Sequence, residues 1–254
     1  MTSDNFPTIL NLPKVRLRDE RSHIFLDVIR WVMSWKLRRN FAQIYVQNMG
    51  MAQHISVETG AVFALNHISK WDLCLFFELS ELLSKHAYIF LPDAQLQYQS
   101  FLRWCGAIPF NTATPRLAHA QIRQSHKLCL EPTQFWMFPQ HRPYSTHKST
   151  LNFQQEVTLL SSHLELPVIP VALEYLYMDS EKPIVYISFQ DPLPHHCSVS
   201  DIESSIKRGF TAIDNCYLGK DKDGFRTLYK RKEGQTPKLL SRFLSRIAEW
   251  RLKS

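Results

Sequence analysis

The chain has 254 residues, 44% of them apolar and 12% aromatic, which is enough to bury a substantial core as one domain and too apolar for a disordered chain. Its formal charge of +7 sits at the ends: residues 14–39 carry eight Lys/Arg against three Asp/Glu, residues 220–254 carry eleven against four, and the stretch between is mildly acidic. An acidic middle and the lack of a DNA-binding motif argue against nucleic acid as a partner; an anionic membrane surface, worth about 1 kcal/mol per basic residue near the lipid, or a plain solvated surface remain.

No apolar run reaches 18 residues, and the first residues lack the basic-then-apolar pattern of a signal peptide. The five cysteines are widely spaced with no C-x-x-C pair, which points to free thiols in a reducing compartment and a cytoplasmic protein. Residues 22–47 read as a helix with Ile24, Val28, Trp31, Val32 and Trp35 on one side and Arg30, Lys36, Arg38 and Arg39 around them. Such a helix either lies in the headgroup plane of a membrane or packs on the domain.

An alternation of strands and helices follows. Strands are expected at 61–65, 87–91, 134–138, 167–173 and 183–189, and helices at 70–84, 95–104, 115–130, 151–164 and 200–218. That order predicts an α/β fold: a central, mostly parallel sheet flanked by helices, with an N-terminal helical segment. Residues 237–253 place Leu239, Leu240, Phe243, Leu244, Ile247 and Trp250 on one helical face and basic residues on the other, so a C-terminal amphipathic helix is expected.

The stretch Asn66-His67-Ile68-Ser69-Lys70-Trp71-Asp72 follows the first strand. A histidine held at a strand end with a carboxylate nearby is a minimal kit for taking a proton from a hydroxyl near neutral pH. The spacing is weak by itself: with 11 His and 11 Asp in the chain, roughly 0.5 such pairs are expected by chance. Ser69 and Asp72 also fit a capping box, which would give Asp72 a purely structural task.

Three further blocks come in order: Gly106-Ala107-Ile108-Pro109-Phe110, then Phe138-Pro139-Gln140-His141-Arg142, then Leu166-Pro167-Val168-Ile169-Pro170-Val171. Together with the histidine motif they resemble the glycerolipid acyltransferase family, typified by 1-acylglycerol-3-phosphate acyltransferases, over about residues 50–195. That family carries N-H-x4-D, a G-x-I-P-type block, F-P-E-G-T-R and V-P-I-V-P. The resemblance implies transfer of a fatty acyl group from acyl-CoA or an acyl carrier protein thioester to a lipid hydroxyl, with no bound cofactor or metal. His67 would be the general base and Asp72 its orienting carboxylate. Asn66, Thr112, Arg116, Phe138, Pro139, Gln140 and Arg142 would form the substrate site. The enzyme would work as a peripheral protein on the inner membrane surface, with residues 51–219 as the catalytic domain between a basic helical segment (1–50) and a basic C-terminal helix (220–254).

Two blocks depart from the family pattern. The arginine usual in the second block is replaced by Thr112, with Arg116 the nearest arginine. In the third, Gln140 stands for Glu, His141 for Gly, Arg142 for Thr and Pro143 for Arg. Those blocks supply phosphate recognition in the family. A lysophosphatidate-type acceptor therefore competes with a non-phosphate one, such as a glycolipid or carotenoid glycoside, and with a catalytically silent lipid-binding relative.

Overall fold

The computed structural model describes residues 21–84, 86–110, 115–129, 131–140, 151–178, 181–220 and 224–230. In chain order the elements are α1 (His23–Asn40), β1 (Gln43–Gln47), α2 (Met49–Glu58), β2 (Ala61–Leu65), α3 (Asp72–Leu83), β3 (Ala87–Pro92), α4 (Asp93–Tyr98), β4 (Ala107–Phe110) and α5 (Pro115–Gln124). They continue with β5 (Gln134–Met137), α6 (Glu156–Leu164), β6 (Val168–Leu176), β7 (Ile184–Phe189), α7 (Val199–Tyr217) and β8 (Phe225–Lys230).

The strands form one eight-stranded sheet in the order β4-β3-β5-β2-β6-β7-β1-β8. Pairing is parallel except between β6 and β7 and between β1 and β8. All five residues of β2 are buried, as a continuous apolar run covered on both faces must be. Gly60 turns the chain into β2 with φ +80°; a Cβ there would meet the Thr133 carbonyl oxygen at 2.5 Å, so only glycine fits.

Alternate residues of the sheet feed two cores. Phe63, Leu65, Ile89 and Trp136 face α1, α2 and α3, with the Phe63 and Trp136 rings stacked 4.4 Å apart. Val62, Ala64, Phe90 and Phe135 face α5, α6 and α7. This division positions the site. β2 and β5 are parallel neighbours, yet the chain leaving β2 runs to α3 on one face and the chain leaving β5 runs to α6 on the other. The two connections diverge and open a crevice at the carboxyl ends of these strands, where α/β sheets bind ligands.

The expected helix over 22–47 ends at Asn40 instead. Ile44 and Val46 are buried alternately with their neighbours, a period of two, and β1 pairs with β7 and β8. The short helix α2 and the strand β8 are also unpredicted; β8 lies in the stretch read as a basic helix, forms the sheet edge with Arg226 and Lys230 exposed, and packs Phe225 on one core and Tyr229 on the other. The amphipathic segment 237–253 lies outside the described residues. The predicted helix at 95–104 divides into α4 and a 3-10 helix at Ser100–Cys105.

α1 presents two stripes. Leu26 and Leu37 are buried and Phe25, Ile29 and Met33 pack on the core. Ile24, Val28, Trp31 and Trp35, spaced to lie along one side, are 50–81% exposed. Among the described residues, no helix is long and apolar enough to cross a membrane.

Candidate active site

His67 lies two residues beyond β2, in the crevice. Its Nδ1 is 2.7 Å from Oδ2 of Asp72, the first residue of α3. Asp72 is fully buried, whereas the His67 side chain keeps 22% of its surface open. The same Oδ2 accepts the backbone N–H groups of Ile68 at 2.8 Å and Ser69 at 3.0 Å. The expected capping box does not form: α3 starts after Trp71 with no side-chain cap, and the Asp72 N–H donates to the Ser69 carbonyl rather than to its hydroxyl. Asp72 instead fastens the turn ahead of α3 through the Ile68 and Ser69 N–H groups while it holds the imidazole. A proton on Nδ1, given to the carboxylate, leaves Nε2 as the lone-pair nitrogen.

Asn66 is buried and its amide is spent on the Leu173 backbone: Nδ2 donates to the carbonyl at 2.9 Å and Oδ1 accepts the N–H at 2.8 Å. It fastens the end of β2 to β6 and is absent from the cavity walls, so the expected substrate contact is replaced by an anchoring one. Gln140 is likewise buried. Its Oε1 accepts the His67 main-chain N–H at 2.6 Å and its Nε2 donates to the Leu151 carbonyl at 2.9 Å. Phe138 stacks on the imidazole, with centroids 4.6 Å apart, and Pro139 is buried behind it. Thr112, Arg142 and the side chain of Arg116 lie outside the described residues.

His67 borders a cavity of about 370 Å³ at the carboxyl ends of β2, β3, β4 and β5. Part of its wall is polar, supplied by Ser69, Lys70, Gln95 and Gln99 as well as the histidine; Phe90, Phe110, Met137 and Phe138 line the apolar part. Such a lining accepts an amphiphile: a hydrocarbon portion removed from water and a polar group near the base.

Two contacts were not legible in the sequence. The Tyr175 hydroxyl donates to Oδ1 of Asp72 at 2.6 Å. Burial, reinforced by the Asp72 charge, pushes this phenol well above its ordinary value, so it remains a donor. Cys74 lies two residues past Asp72 with its sulfur 3.4 Å from that of Met33. Burial pushes its thiol up to about 11, which keeps it from serving as a thiolate nucleophile near neutral pH.

In comparisons with known proteins, residues 43–174 match the model of the family described as Acyltransferase. Among solved structures, the chain is similar to the 1-acyl-sn-glycerophosphate (LPA) acyltransferase PlsC from Thermotoga maritima, with a TM-score of 0.56 and 15% identity over 74% of this chain and 79% of that one. At that identity the likeness concerns the fold. A search of curated proteins finds no match.

Proposed function

Starting from a chain that belongs to the acyltransferase family and is an enzyme of that class, we propose that it moves a fatty acyl group from a thioester, on coenzyme A or an acyl carrier protein, to the hydroxyl of a lysophosphatidate-type glycerolipid. The observation that carries this reading is the His67–Asp72 contact of 2.7 Å beside an amphipathic cavity. Nε2 of His67 takes the acceptor proton as the hydroxyl oxygen attacks the thioester carbonyl. Asp72 stabilises the imidazolium that forms, and the imidazolium returns the proton to the departing sulfur, yielding an ester and a free thiol. General-base help of this kind is worth roughly 10²- to 10⁴-fold in rate. The acceptor attacks directly, without an acyl-enzyme.

Both substrates of such a reaction carry long apolar chains, and the exposed stripe of α1 supports docking on a membrane. Trp31 and Trp35 sit among Lys36, Arg38 and Arg39, a combination favoured at an anionic lipid surface. The reading places the enzyme as a peripheral protein on the cytoplasmic side of the inner membrane.

A non-phosphate acceptor is favoured by one observation: in the degraded third block, Gln140 is committed to His67 and Leu151. Purified protein given mixed thioester donors with either lysophosphatidate or a glycolipid separates the two acceptors by acceptor-dependent thiol release. H67A is expected to abolish that release while keeping the wild-type melting temperature. Normal turnover by H67A would end the general-base assignment, and no release with any acceptor would favour a silent lipid-binding protein.

A further inference from the structure

Resting on the reading above for what the dyad does, we propose that Tyr175 is a positioning residue that fixes which oxygen of Asp72 faces His67. The carboxylate torsion of an aspartate is broad and nearly two-fold, so either oxygen can be offered to a neighbour unless something distinguishes them. Here Oδ2 accepts the imidazole and the two backbone N–H groups of Ile68 and Ser69. Oδ1 accepts the Tyr175 hydroxyl at 2.6 Å. Asp72 is fully buried, so water does not offer an easy substitute donor. Without the hydroxyl, Oδ1 would be drawn toward the donors that Oδ2 now holds.

The hydroxyl is itself held firmly. Tyr175 lies on β6, two residues past Leu173, which Asn66 binds on both sides. Its ring packs on Phe41 at 5.5 Å, and Phe41 meets Trp71 edge-on at 5.4 Å. The end of β2, the start of α3 and the end of β6 are thereby tied together around one carboxylate. Among the described residues, the other titratable groups on this side include Cys74 of α3, which bears on Tyr175 and itself feels the Asp72 charge, Lys36 of α1, whose charge reaches Cys74, and Lys70 at the cavity.

The test is Y175F, which keeps the ring and its packing and removes one donor. A hydrogen bond to a charged group corresponds to a loss of about 10- to 100-fold, expected in kcat. KM for donor and acceptor should stay within about twofold, because Tyr175 is absent from the cavity walls. Without the hydroxyl, the carboxylate turns and its hold on the imidazolium weakens, so the acid limb of the pH–rate profile should move to lower pH. NMR titration of the His67 ring, assigned by the resonance missing in H67A, should show the same downward move. Unchanged kcat with an unchanged titration would overturn the proposal. So would a rise in KM alone, which would make Tyr175 a substrate contact, or loss of the fold, which would make it a stability element. Should the wild-type chain transfer no acyl group, the functional reading fails, while the NMR titration still decides the role of Tyr175.

Discussion

Gln140 grips the loop that carries His67 through its backbone: Oε1 accepts the main-chain N–H of His67 at 2.6 Å while Nε2 donates a hydrogen bond to the Leu151 carbonyl at 2.9 Å. One end of the amide must accept and the other must donate, a pairing that a carboxylate cannot make. Restoring the family residue with Q140E would set two oxygens against each other at Leu151 in a buried position. A loss of about 1–3 kcal/mol in unfolding free energy is expected, read by urea titration. Stability equal to or above the wild type would show that Leu151 needs no donor there.

The outward stripe of α1 gives a second expectation. Trp31 is 70% exposed and Trp35 50%, so W31E/W35E should leave the melting temperature nearly unchanged. Binding to vesicles containing anionic lipid should fall by about tenfold or more, since two interfacial anchors are lost and two like charges are added. Sedimentation with such vesicles measures this, and undiminished binding would remove α1 from the membrane contact.

The buried thiols give stability a dependence on alkaline pH. Burial pushes Cys74, Cys105, Cys129 and Cys197 from 9.0 up to about 11. Between those values the folded chain holds protons that the unfolded chain has released, so unfolding free energy should fall as pH rises from about 9 to about 11, with the full contribution present below 9. Urea unfolding at several pH values across that window gives the slope. Cys129→Ala should make it shallower; a flat or rising dependence would contradict the sign.

The strand–loop–helix passage from Ala61 to Leu83 was legible because its parts are neighbours in the chain. A run buried on both faces, then a histidine, then a carboxylate at a helix start, needs no long-range information. The residues that complete the site do not share that advantage. Gln140 and Tyr175 stand 73 and 103 positions from the groups they bind, and only the pairing of β5 and β6 with β2 brings them close. Tyr175 left one faint trace: it is on the same face of β6 as Leu173, beyond the apolar block. The boundary at Asn40 was hidden for a different reason. Ile44 and Val46 extend the apolar pattern of α1 closely enough to read as helix, and only their partners in β7 and β8 select the strand. Asn66 enters the substrate set through the motif it shares with His67; its bond to Leu173 is made to a residue 107 positions away and has no local signature.

Divergence of the chain beyond β2 and β5 separates two kinds of heritable change. The groups proposed to handle the proton come from β2, α3 and β6, whereas Phe90 and Phe110, which meet edge-on at 5.7 Å in the cavity wall, come from β3 and β4. Exchanging those rings for smaller side chains would reshape the space offered to a hydrocarbon without touching His67, Asp72 or Tyr175. Descendants of this scaffold can thus drift in what they accept while inheriting their chemistry intact.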